Sequence, residues 1–213
     1  TDKTAFVCLT GAQADGHDYI ESAVKNGTKV IIVEHDVDMI PGITYVKLKD
    51  TRIGLAYMAA ALFGYPQNEL TVVGITGTKG KTTTTFMIKS ILEGAGKNVG
   101  IIGTIGVFMG DKYIQTHNTT PESYDIQSYF RQMADMGCDI VVMEVSSQAL
   151  KLNRTAGIEF DYGIFTNLSP DHIGENEHKD FEDYMSCKSK LFSRCKHGIL
   201  NIDDKHYKDM IKD

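Results

Sequence analysis

The stretch TVVGITGTKGKTTTTFMIKSILEGAG, residues 71–96, carries the fold class of this chain in its pattern. Its β-branched opening, residues 71–76, reads as a buried strand, and residues 83–92 place Ile88, Ile91 and Leu92 on one side of a helix. Between them lie Gly77, Thr78, Lys79, Gly80, Lys81 and Thr82. Glycines there let backbone amides approach phosphate oxygens, and the helix N-terminus adds the positive end of its dipole. Lys81 can reach terminal phosphates, and the Thr82 hydroxyl can ligate Mg2+. The stretch predicts a phosphate-binding loop, with Thr83 beside it. The pattern G-x-x-x-x-G-K-T would place glycine at position 75, where this chain has Ile75 with glycines at 74 and 77, so the loop is a variant. The bland alternative is a glycine-rich turn with an exposed lysine.

Composition narrows the ligand. A chain of 213 residues has room for one large or two small domains with real cores. A formal net charge of -6 opposes a general nucleic-acid or anionic-membrane surface, so the expectation is a nucleotide, with no nucleic acid and no membrane partner. Cys8, Cys138, Cys187 and Cys195 form no C-x-x-C pair, which reads as reduced thiols in a reducing compartment. With no membrane-span run and no signal-peptide layout at its start the protein is expected to be cytoplasmic, and a monomer is the separate expectation for its assembly. A metal cluster of Cys187, Cys195 and His197 is disfavoured, because the two cysteines are expected on one helix with no fourth ligand.

Along the chain, strands are expected at residues 4–9, 29–33 and 44–48, with Asp18 capping a helix to Val24 and Asp50 capping one to about Phe63. Gly64 and Pro66 end that helix, so a boundary falls at residues 64–70, giving a first domain of residues 1–69 and a second of residues 70–213. The second continues as a strand at 97–102, a hairpin around Gly110 and Asp111, a helix from Pro121 to Gly137, and a strongly apolar strand at 139–145. A short helix at 146–150, a strand at 162–166, a helix from Asp180 to about Arg194, a strand at 197–201 and a helix from Asp203 or Asp204 follow. Such alternation predicts an α/β fold, a mostly parallel sheet covered by helices on both faces, with ligands at the carboxyl ends of the strands.

Four features gather at those ends: the loop, Glu144, the Ser146 and Ser147 pair, and residues 167–172. Glu144 follows four apolar residues and is placed to hold the Mg2+ that bridges nucleotide phosphates, or else it is an ion-paired strand end. His172 is a second candidate ligand or acid–base group, although a loop histidine is more often structural. Lys188 shares the apolar face of its helix with Phe181, Tyr184, Met185, Leu191 and Phe192. Desolvation there favours the neutral, nucleophilic amine, whereas the bland reading is a lysine that snorkels to solvent.

The segments GITGTKGKTTT, HNTTPE, MEVSSQAL, FTNLSPDHIGENEH and DYMSCKSKLF, in that order, resemble the successive motifs of the Mur ligases. They are most similar to the MurE type, which adds the third amino acid to UDP-N-acetylmuramoyl-L-alanyl-D-glutamate. The early segment FVCLTGAQADGHDYIESAVKNGTKVIIVE is similar to the family's first domain. The resemblance implies ATP and Mg2+ as cofactors, with Gly77, Thr78, Gly80, Lys81, Thr82 and Thr83 at the nucleotide and Thr82, Glu144 and His172 at the metal. It implies that Lys188 reacts with CO2 to form a carbamate, a further metal ligand, and that Lys81, Glu144, His172 and Lys188 serve catalysis. Asn118, Thr119, Thr120, Ser147 and Arg154 match positions that hold the UDP-N-acetylmuramoyl-dipeptide.

The implied reaction joins that substrate to L-lysine or diaminopimelate through an acyl phosphate. The chain departs from the family pattern at Gln148, where histidine is frequent, at Leu152, where some members have glutamine, and at Pro170, usually arginine or glutamate. The resemblance also implies a third domain, so these residues alone are expected to form no peptide bond. Competing readings are a folylpolyglutamate synthetase or cyanophycin-synthetase-like ligase, disfavoured by DGHDYI and HNTTPE, and a non-catalytic nucleotide-binding module, disfavoured by intact Glu144, His172 and Lys188. A P-loop hydrolase or motor would carry a water-positioning or switch element, and none is recognisable in this sequence.

Overall fold

The computed structural model describes residues 4–11, 14–174 and 177–211. Ala12 and Gln13 of the early turn-rich segment, and Glu175 and Asn176 of FTNLSPDHIGENEH, lie outside the described residues, as do residues 1–3 and 212–213.

Two sheets organise the chain. Strands β1 (Ala5–Val7), β2 (Val30–Val33) and β3 (Thr44–Lys47) pair in parallel in that order. Helix α1 (Ile20–Lys25) and helix α2 (Thr51–Leu62) follow β1 and β3. Asp50 caps α2, its carboxylate accepting from the Ile53 amide at 2.8 Å. The second sheet holds β4 (Thr71–Thr76), β5 (Val99–Gly103), β6 (Gly106–Met109), β7 (Lys112–Ile114), β8 (Ile140–Glu144), β9 (Phe160–Phe165) and β10 (Cys195–Leu200). Their order is β10-β9-β4-β8-β5-β6-β7, parallel from β10 to β5 and antiparallel at β6 and β7. This is the mostly parallel α/β architecture that the alternation predicts.

Helices α3 (Lys81–Gly94), α4 (Ser123–Asp135), α5 (Ser147–Lys151) and α6 (Phe181–Ser189) complete the second unit. Side chains of β4 alternate between two cores. Val73 and Ile75 pack with Ile88 and Leu92 of α3, while Val72 joins Phe130, Met143, Phe160 and Leu191 on the other face. Gly74 shares that second face, and a Cβ there would lie 2.7 Å from the Phe160 ring. The odd glycine spacing of the loop therefore has a packing cause: Gly74 makes room for Phe160, and Ile75 fills the α3 side.

Four sequence expectations are corrected. Asp15, not Asp18, makes the early cap; extended at φ -103°, it accepts from the His17 amide, and a 3-10 turn at Gly16–Tyr19 precedes α1. The helix expected to run to Arg194 stops at Ser189, and i to i+3 hydrogen bonds at Leu191 and Arg194 tighten the chain so that Leu191 enters the core. Cys195 thus starts β10 and does not share a helix with Cys187. The last helix is only a 3-10 turn at Tyr207–Met210, because the Asp204 carboxylate accepts from the amides of Leu168 and His206.

All four cysteines are free, and among the described residues no helix is long and apolar enough to cross a membrane. The two units meet through α2 and α4 and through Arg52, whose guanidinium lies 3.2 Å from Glu122. Phe130 is fully buried in the larger core. Phe130→Ala is expected to cost about 3–5 kcal/mol of stability through lost burial and a residual cavity, read from urea unfolding at unchanged m-value.

Candidate active site

The loop between β4 and α3 leaves the middle of the larger sheet, and its shape depends on two glycines. Gly77 has φ +151° and Gly80 φ +83°, values that side chains disfavour, and a Cβ on Gly77 would collide with Thr166 Oγ1. The segment after β9 anchors the loop. The Thr78 amide donates to the Asn167 carbonyl at 2.8 Å, the Lys79 amide to Asn167 Oδ1 at 3.0 Å, and Asn167 Nδ2 and Thr166 Oγ1 donate back to the Lys79 carbonyl at 2.9 and 2.8 Å. Tyr184 of α6 donates its hydroxyl to Thr78 Oγ1 at 3.1 Å from a fully buried position. Thr166 and Tyr184 were not among the sequence-predicted site residues, and Asn167 was placed at the strand end without a role of its own. Their signal was the FTNLS segment at a strand end and an aromatic one helical turn before Lys188.

Two ammonium groups converge on one carbonyl. Lys81 Nζ donates to the Gly77 oxygen at 2.9 Å and to the Thr78 oxygen at 3.1 Å, and Lys188 Nζ donates to the same Gly77 oxygen at 2.9 Å. Lys188 is 2% exposed, and its Nζ lies 4.5 Å above the Tyr184 ring. Burial, then the neighbouring Lys81 charge, push its pKa down to about 7. Burial also lowers Lys81, with Glu144 and Asp171 opposing. The inward lysine read from the helical pattern is therefore real.

Thr82 and Glu144 form the second cluster. Thr82 Oγ1 donates to Glu144 Oε1 at 2.9 Å, the Thr104 amide donates to the same oxygen at 3.0 Å, and Thr104 Oγ1 donates to Oε2 at 3.1 Å. The single Thr104 hydroxyl proton is thus committed to the carboxylate, so Thr119 Oγ1, 3.0 Å away, donates to Thr104. Gly103 lacks the Cβ that would collide with Glu144 Oε1. A hydroxyl beside a carboxylate is a hard-oxygen donor set suited to Mg2+, and the glycine-formed cradle at Gly77 and Gly80 suits a phosphate, so the residues fit both groups.

Thr120 extends this cluster: its hydroxyl donates to the Glu144 carbonyl at 2.9 Å and accepts from the Ser146 amide at 3.0 Å. Arg154 donates to the Thr120 carbonyl at 3.1 Å and pairs with Glu122 at 2.8 Å. Asn118 and Thr83 are exposed. His172, at φ +53°, pairs with Glu177 at 3.1 Å rather than with Thr82 or Glu144. It lines a cleft of about 190 Å3 with Ser146, Ser147, Gln148, Glu177 and His178. A larger hollow of about 380 Å3 between Tyr57 and Arg194 contains no loop residue and plays no part in this site.

Known proteins resemble this chain in sequence and in fold. A family model described as the Mur ligase middle domain matches residues 75–213, and one described as the Mur ligase family catalytic domain matches residues 1–63. The chain is 49% identical over 209 residues to the UDP-N-acetylmuramoyl-L-alanyl-D-glutamate--2,6-diaminopimelate ligase of Clostridium perfringens, covering 98% of this chain and 43% of that protein. It is 47% identical over 205 residues to the protein of the same name from Clostridioides difficile, covering 96% of this chain and 42% of that one. A solved structure titled as such a ligase superposes with a TM-score of 0.83 at 26% identity, over 98% of this chain and 42% of the other. A folylpolyglutamate synthase of Mycobacterium tuberculosis shares the fold at a TM-score of 0.57 and 15% identity, over 72% of this chain and 42% of that one. The chain spans less than half the length of the curated relatives it matches.

Two outcomes test the site. Thr104→Val removes one carboxylate partner and is expected to weaken Mg2+ binding in the presence of nucleotide about 10- to 100-fold, measured by calorimetry. Lys188 has a lowered folded pKa, so between about pH 7 and its unfolded value the unfolded chain holds the extra proton. Its burial penalty, complete below that window, is therefore relieved as pH rises through it. Urea midpoints should climb across the window in the wild type relative to Lys188→Met.

Proposed function

The chain belongs to the Mur ligase family, and on that premise we propose that it forms the first two domains of the ATP-dependent ligase that adds the third amino acid to UDP-N-acetylmuramoyl-L-Ala-D-Glu in peptidoglycan synthesis. Residues 1–69 contribute to holding the UDP end of the substrate, and residues 70–213 hold the nucleotide. Diaminopimelate is the favoured third residue over L-lysine, because the relatives named above carry it in their names. The reaction belongs to the cytoplasm, where UDP-linked precursors and ATP meet.

The observation that carries this reading is the convergence of Lys81 and Lys188 on Gly77 beside the Thr82–Glu144 pair. The substrate carboxylate attacks the γ-phosphate of ATP, displacing ADP and giving an acyl phosphate, and the amine of the incoming amino acid then attacks the acyl carbon, loses a proton and displaces phosphate to form the amide. Lys81 and the loop amides orient the phosphates and offset charge on the transferring group, so catalysis is chiefly positioning and electrostatics. Thr82 and Glu144 would hold Mg2+, joined by His172 and Lys188 at the metal sites. Bound there, Mg2+ supplies further neutralisation of phosphate charge.

Lys188 carries its own chemistry. Its amine, neutral above about pH 7, attacks CO2 and releases one proton, forming an N-carboxylate. The change turns a buried cation into an anion and removes its repulsion with Lys81. Asn118, Thr119, Thr120, Ser147 and Arg154 face the muramoyl substrate; of these, Thr120 and Arg154 are held by the Glu144 and Glu122 contacts.

The test is a substrate panel with ATP and Mg2+. The 213 residues alone are expected to bind nucleotide and UDP-N-acetylmuramoyl-L-Ala-D-Glu, to ignore folate, and to make no tripeptide. The product of the complete gene is expected to join diaminopimelate in preference to lysine. Folate use without muramoyl binding would sink the proposal. Lys81→Ala should abolish measurable nucleotide affinity while leaving the circular dichroism spectrum intact.

A further inference from the structure

A second buried polar chain begins at two residues that line the cleft, Ser147 and His178. Ser147 Oγ, in the first turn of α5, is 2.9 Å from His178 Nε2; His178 Nδ1 is 3.1 Å from Asp183 Oδ2; and Lys151 Nζ donates to that same carboxylate oxygen at 2.8 Å. His178 is fully buried and Ser147 is 4% exposed. The sequence reading assigned nothing to His178 or Asp183. Cys187 lies close enough to join these two as a metal set, but the Lys151 ammonium already neutralises Asp183 and Ser147 occupies Nε2.

Proton accounting decides what this chain presents to the cleft. Asp183 is held down to about 2, first by the Lys151 hydrogen bond, and is therefore a pure acceptor. Nδ1 must then carry a proton to donate to it. His178 is fully buried and the Lys151 ammonium already balances the Asp183 charge at 2.8 Å, so a second ring proton would have no counter-charge and Nε2 keeps its lone pair. The Ser147 hydroxyl has one hydrogen, and Nε2 takes it. Only oxygen lone pairs of Ser147 remain for the cleft it lines with Ser146, Gln148 and His172.

We propose that His178, oriented by Asp183, is a positioning residue that holds Ser147 as an obligate hydrogen-bond acceptor on the cleft wall, selecting an amide N–H of the peptide stem on the acyl substrate. The identity of that ligand rests on the muramoyl-dipeptide reading above; the acceptor assignment rests on the geometry alone. A serine free to rotate would accept a carboxylate or a phosphate oxygen equally well by donating to it. A serine locked in this way repels them. The order Ser147, His178, Asp183 also matches a nucleophile with its base and orienting acid, and reactivity at Ser147 is the rival outcome.

The experiment has two arms on the 213-residue chain. Long-range proton–nitrogen NMR of His178 at neutral pH should report an Nδ1–H ring with a bare Nε2, and Asp183→Asn should move it toward Nε2–H. In the second arm, UDP-N-acetylmuramoyl-L-Ala-D-Glu is compared with two analogues in which one or the other stem amide is an ester. One ester should bind wild type about threefold to tenfold more weakly than the amide, and that discrimination should vanish in Ser147→Ala and in Asp183→Asn. An Nε2–H ring or imidazolium in the wild type, equal binding of all three ligands, or covalent labelling of Ser147 by a fluorophosphonate would each overturn the assignment. An Nδ1–H ring with no dipeptide binding at all would refute the muramoyl reading while supporting Ser147 as an acceptor.

Discussion

The carbonyl of Gly77 accepts from two ammonium groups at once, and much of the site follows from how the chain tolerates that. Like charges close together in a buried place repel, and neither lysine meets a carboxylate within ion-pair distance among the described residues. The repulsion is relieved by loss of a proton: Lys188, the more buried, is pushed down to about 7 by burial and by Lys81. A lysine half neutral near physiological pH is a nucleophile, so the same desolvation that costs stability prepares the group for covalent change. The loop backbone that offers the carbonyl can do so only because Gly77 carries no Cβ against Thr166.

Placement of the carboxylate obeys the same economy. Glu144 ends the strand beside β4, with Ile75 and Glu144 in register, so its side chain emerges next to the loop without any irregular backbone. Thr82 and Thr104 then saturate its oxygens with donors from α3 and from the turn after β5. Three elements that are distant in sequence are thereby tied to one anion. When a cation binds at those oxygens it must displace or share these donors, so the carboxylate is presented in a fixed orientation rather than searched for.

The parts of this arrangement legible in the sequence are those written in local pattern. Strand β4, helix α3 and the inward direction of Lys188 follow from hydrophobic period, and Glu144 follows from four apolar residues ahead of it. What escaped is set by partners far along the chain. Asn167 earns its role by pairing with Lys79, and His178 by facing Ser147 and Asp183, contacts that no spacing announces. Helix ends were misjudged for the same reason: Asp204 looks like a cap until Leu168 claims its carboxylate, and α6 looks continuous until Leu191 turns into the core. Gly74 was visible only as an oddity, because the Phe160 ring that demands it lies on another strand.

The two units are joined by charge as well as by helix packing, and the joint sits beside the site. Glu122, at the N-terminus of α4, pairs with Arg52 of α2 and with Arg154 beyond α5. Arg52 also donates to the Thr10 carbonyl, and Arg154 to the Thr120 carbonyl beside the Glu144 backbone. Asn153 adds a bond to Asp50, the cap of α2. Arg52 is thus committed on both sides of the joint, whereas Arg154 braces Glu122 from within the second unit. Glu122 therefore answers to two cations at once, one from each unit, and its carboxylate fixes Arg154 beside the Thr120 and Glu144 backbone while it holds Arg52 across the joint.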